Sequence, residues 1–160
     1  WFRVGKPTMV GVASGAVAGV VAITPAAGYV SVIPAIVIGL MVSVFCYIAA
    51  AIIKPKLGYD DALDAFGVHC IGGIWGALAT GLFASKLVNP AGNDGLFFGN
   101  PSLFLTQLKT VGVTIGYALV GTFVIYKVVD LLVGIRVSEK EESMGLDLTQ
   151  HHERAYTTIE

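Results

Sequence analysis

The chain has 160 residues, 55% of them hydrophobic and 13% charged, with a formal net charge of −1 and a mean hydropathy of +0.77. Soluble domains carry about 25% charged residues, so this composition excludes an ordinary water-soluble globule. The near-neutral balance leaves no basic footprint for nucleic acid.

The charges are segregated. None lies between Pro7 and Ile53, between Ala65 and Ser85, or between Thr110 and Tyr126. A helix needs about 20 apolar residues to cross a bilayer, and the first run is long enough for two crossings. Four spans are therefore expected: an all-α, polytopic transmembrane helix bundle. A membrane region over residues 1–135 would be followed by a polar tail over 136–160. The chain begins at Trp1 instead of methionine, as a fragment or processed product does.

The first span is expected over residues 8–23, with Gly11, Gly15 and Gly19 four apart beside Ser14, Ala18 and Ala22. That is the small-residue ridge that lets helix backbones approach closely in lipid. It is too glycine-rich for a cleaved signal peptide. "TPAAGYVSVIP" follows as a turn, with Pro25 and Pro34 disfavouring helix and Gly28 permitting unusual backbone angles. The second span is expected over residues 35–53, ended by Lys54, Pro55 and Lys56. The third is expected over residues 62–85, with Asp60 or Asp61 placed to cap it and favour its dipole. A loop with Asn-Pro and Asn-Asp-Gly punctuation leads to the fourth, over residues 103–133, which is long for one crossing and should tilt or project. Orientation follows from lysine and arginine. Arg3, Lys6, Lys54, Lys56, Lys127, Arg136, Lys140 and Arg154 fall on one side, against Lys86 and Lys109 on the other. Both termini are therefore expected in the cytoplasm.

His69 is the one histidine within the expected spans. On a wheel of 100° per residue, Ala62, Ala65, Gly72, Gly73, Gly76 and Thr80 fall within about 60° of it, and Ile71, Ile74, Leu78 and Leu82 lie opposite. The histidine thus shares the small, close-packing face. An ionisable residue there is a functional candidate by default, beside the plainer reading of an inter-helix hydrogen bond. A neutral imidazole offers one donor and one acceptor, fit to receive a polar substrate or pass a proton. Asp64 lies about 140° round the helix from it and reads as a structural acid. Trp75, about 120° away, reads as packing between spans. Cys46 and Cys70 lie in apolar runs as buried, reduced thiols, and two isolated cysteines make neither a disulfide framework nor a zinc site. His151 and His152 lie in the tail, so metal or haem ligation in the spans is not expected, and neither is any cofactor.

"GKPTMVGVASGAVAGVVAITPAAGYVS", "DDALDAFGVHCIGGIWGALATG" and "MGLDLTQHHERAY", in that order, together resemble the ammonium transporter family (the Amt/Mep/Rh superfamily) over nearly the whole chain. The resemblance implies the last four spans and tail of an eleven-span fold, assembled as a homotrimer with a pore in each subunit. It implies that His69 is the second of two pore histidines, the polar station of a hydrophobic conduit. A bare ammonium ion is very costly to desolvate, whereas ammonia is neutral. The implied function is ammonium recruitment and deprotonation, ammonia conduction and reprotonation inside, in the cell membrane and without enzymatic chemistry. Thr24 matches the outer turn near the recruitment vestibule, though a threonine capping a broken helix fits equally well. Asp61 and Asp64 match structural acids on the cytoplasmic side. In the tail, read from composition as solvated and partly disordered, Asp147 and Arg154 match a regulatory segment on which PII signalling proteins dock. His152 stands where the family often has glycine. Alternatives are an ammonium sensor and a Rh-type channel for ammonia or carbon dioxide; the tail motif favours the microbial and plant branch. A generic helical subunit would not explain three ordered motifs.

Overall fold

The computed structural model describes residues 5–154. Arg3 in the charge tally, and the end of the tail motif at Tyr156, lie outside the described residues. Among these residues every regular element is helical. Four helices are long and apolar enough to cross a membrane: α1 (Met9–Ala26), α2 (Val32–Leu57), α3 (Phe66–Phe83) and α4 (Pro101–Val133). Two short tail helices follow, α5 (Glu139–Met144) and α6 (Leu146–Thr149). The chain forms two compact units, divided between Ile115 and Gly116.

Thr8 starts α1, its hydroxyl accepting the Gly11 amide at 3.1 Å. Pro25 has no amide to continue the ladder, so the helix tightens into a 3-10 turn at Thr24–Ala26. Gly28, at φ +81°, then reverses the chain. The second helix begins at Val32, earlier than expected, because Pro34 falls in its first turn, where a missing amide costs nothing. It also runs past Lys54 to Leu57. Pro55 can be carried within it because the preceding turn, Ala49–Ile53, is widened to π geometry. Gly58, at φ +65°, ends it by donating to the Lys54 carbonyl at 2.9 Å.

In the first unit α1, α2 and α3 pack around Ala18, Ala22, Ile38, Val42, Cys46, Val68 and Ala79. The close approach does not use the expected glycine ridge. Gly15 and Gly19 meet nothing within 4 Å, and Ala18 and Ala22 make the contact instead. The closest backbone contact is Gly76 of α3, where a Cβ would collide with the Ala22 carbonyl; Gly72 lies against Val21, Val42 and Cys46. Trp75 packs between spans, its Nε1 donating to the Ile38 carbonyl at 3.1 Å and its ring edge-to-face with Phe45 at 5.1 Å.

The α3–α4 loop folds onto the α1–α2 turn. Ser85 donates its amide to the Tyr29 carbonyl at 2.9 Å, and Asp94 accepts the Lys86 amide at 2.8 Å. Asn100 caps α4 by accepting the Ser102 amide at 3.1 Å. At 33 residues α4 is about 50 Å long, well beyond a hydrocarbon core of about 30 Å. It buries no residue in this chain. In the second unit, α5 opens with a capping box. The Ser138 hydroxyl accepts the Glu141 amide, and the Glu141 carboxylate accepts the Ser138 amide. The tail thus has helical order that its composition did not suggest.

Candidate functional site: a histidine in a widened turn

Asp61 builds the entry to α3. Its carboxylate accepts the Ala65 and Phe66 amides, each at 2.8 Å. The helix therefore starts at Phe66 and not at residue 62, and Ala62 lies in the preceding turn. These two amide bonds, the Phe66 one foremost, hold the Asp61 carboxyl below the usual carboxylate range. Asp64 sits at φ +53°, a left-handed conformation that aspartate tolerates better than most residues. Its carbonyl accepts the Val68 amide at 2.8 Å, and its carboxylate pairs with Lys54 at 2.7 Å. Lys54 also donates to the Asp61 carbonyl.

The first turn of α3, Phe66–Cys70, is itself π-helical and contains His69. Gly67 and Val68 are its buried residues, against α2; His69 is exposed on the flank of the spans. The wheel had placed it on the packed face with Gly72, Gly76 and Thr80, all of which are buried. A π-turn advances the chain by less than 100° per residue, so the residues before Ile71 are rotated out of a regular wheel's register. Cys70 is half-buried and Cys46 buried, and both thiols are free.

The remaining expected residues lie apart from His69 in sequence. Thr24 is exposed, and its hydroxyl donates back to the Val20 carbonyl at 2.7 Å. In the second unit Asp147 opens α6, half-buried, and its carbonyl accepts the Glu153 amide at 2.9 Å. Arg154 is exposed. His152 adopts φ +55°, the region glycine favours. Lys54 was missed at the site, because a cation ten residues before its carboxylate, across a glycine turn, leaves no sequence pattern. The Ser138-x-x-Glu141 box was missed although its spacing is legible.

Apolar spans of this length, with one histidine among them in the described residues, define a multi-pass helical membrane protein. The Ammonium Transporter Family profile matches residues 1–156, and the chain belongs to that family. It is 53% identical over 156 residues to an ammonium transporter of Bacillus subtilis, with 98% of this chain and 39% of that protein aligned. It is 51% identical over 158 residues to ammonium transporter Amt1 of Archaeoglobus fulgidus, covering 98% of this chain and 39% of that one. Among solved structures, Mep2 of Saccharomyces cerevisiae superposes with a TM-score of 0.82 at 32% identity, over 99% of this chain and 38% of Mep2. Candida albicans Mep2 superposes with a TM-score of 0.80 at 35% identity, over 94% of this chain and 34% of that one. The chain thus spans about two fifths of the length of the relatives it matches.

Proposed function

We propose that this chain forms part of the conduit of an ammonium transporter, in which ammonium sheds its proton, ammonia passes through a hydrophobic pore and the proton is relayed by way of His69, the polar station of that pore, so that transport moves charge. The family match over residues 1–156 carries this reading. The position of a histidine within an apolar span supports it. An imidazole facing lipid is costly, so an apolar flank bearing one is better suited to a narrow passage shared with further helices. The neutral ring can accept from or donate to a passing molecule. Thr24 belongs to the outer recruitment vestibule in this reading, while Asp61 and Asp64 hold the cytoplasmic end of α3. Transport takes place in the cell membrane by a homotrimer, without enzymatic chemistry. The tail, through Asp147 and Arg154, faces the cytoplasm and receives a PII-type regulator.

The test is ammonium-evoked current in liposomes. The protein used is a full-length transporter carrying this chain, such as the Bacillus subtilis relative with its matching residues exchanged for these. Current with ammonium and none with sodium or potassium is expected; equal currents for all three ions would contradict ammonium transport.

A further inference from the structure

Two widened turns face each other across the seam between α2 and α3. Ala49–Ile53 and Phe66–Cys70 are both π-helical. They touch at Gly67, where a Cβ would lie 3.5 Å from the Ala49 Cβ and 3.6 Å from that of Ala50. Cys46 adds a contact from its Sγ to the Val68 carbonyl at 3.9 Å. The turn in α2 has a covalent cause. Pro55 lacks an amide and its ring crowds the carbonyl four residues back, so the helix widens just before it.

Lys54 follows that turn directly. Its ammonium reaches to the loop before the second π-turn, donating to the Asp61 carbonyl and, at 2.7 Å, to the Asp64 carboxylate. The same two aspartates hold the second turn. The Asp61 carboxylate takes the Ala65 and Phe66 amides, and the Asp64 carbonyl takes that of Val68. One cation therefore links the end of the first widened turn to the groups that anchor the second. The pair is neither free in water nor fully buried, with side-chain exposures of 27% for Lys54 and 36% for Asp64.

Resting on the reading of His69 given above, we propose that Lys54 is a positioning residue for His69. Its bridge to Asp61 and Asp64 sets the height and rotation of the Phe66–Cys70 turn, and with them the place of the ring along the conduit. Lys54 itself touches no substrate.

The test compares Lys54→Met, Lys54→Arg and His69→Ala in the full-length transporter carrying this chain, reading the ratio of ammonium to methylammonium transport. A ratio does not depend on how much protein is folded, whereas displacing the ring alters how the passage treats an added methyl group. Lys54→Met should change the ratio by about threefold or more, with Lys54→Arg near the unsubstituted value. Where Lys54→Met does not fold, Asp64→Asn removes the same ion pair while tolerating the positive φ, and should give the same change. A ratio unmoved by either variant, with His69→Ala moving it, overturns the proposal alone. A His69→Ala variant unchanged in both rate and ratio overturns the reading of His69 and the proposal with it.

Discussion

Asp61 shows how much one side chain decides here. Its carboxylate sets where α3 begins and so where His69 stands on the helix. Because its folded-state pKa is depressed, its contribution is complete above the ordinary carboxylate range of about 4 and is lost as pH falls through the folded value. Thermal unfolding in detergent should therefore show a loss of stability on acidification that Asp61→Asn lacks, the variant being less stable at neutral pH. An identical acid limb in both proteins would remove Asp61 from that role. His152 offers a gain in the opposite direction. It holds φ +55°, which costs a non-glycine residue about 1 kcal/mol, so His152→Gly should slow amide exchange in the α6 turn. At this scale the sequence was partly legible. A capping aspartate before α3 and a packing role for Trp75 follow from residue type and spacing. The Lys54–Asp64 pair does not, because it depends on how Gly58 and Asp64 turn the loop.

Among the elements, the spans were legible from the gaps between charges, but their irregularities were not. A wheel of 100° per residue has no place for π-turns, and two of them sit in α2 and α3. The small-residue ridge of α1 was the right kind of signal on the wrong residues. The seam uses Ala18 and Ala22, and the glycine that must stay small is Gly76 of α3. Gly76→Ala should cost about 1–3 kcal/mol, as overpacking against backbone does. Gly15→Ala, with nothing within 4 Å, should be neutral or slightly stabilising. Thermal unfolding of the two variants side by side checks the contrast, and equal effects would contradict the assigned seam. In the tail, Ser138→Ala should cost about 1 kcal/mol of local helix, read as faster exchange of the Glu141 amide. The Glu141 carboxyl is held below its usual range, chiefly by the Ser138 hydroxyl, so this cap too should weaken as pH falls through that lowered value.

For the molecule as a whole, the exposed apolar surface is as informative as the core. Large side chains such as Val10, Ile33, Tyr117, Leu119 and Leu131 are more than two-thirds exposed, as expected of spans made for lipid and neighbouring helices. His69 is exposed in this chain. The 160-residue chain alone should carry no ammonium current, and a current from it would contradict the shared-passage reading. The charge pattern leads to the expectation of a cytoplasmic tail, which protease added from that side should cut; cutting only from the other side would reverse the topology. The most direct test of the central claim is the ammonium-evoked current of the full-length transporter carrying this chain, with and without His69→Ala, at equal amounts of assembled protein. A current lowered at least tenfold is expected if the ring stands in the conduction or proton path; an unchanged current and selectivity would reduce His69 to a packing residue and contradict the claim.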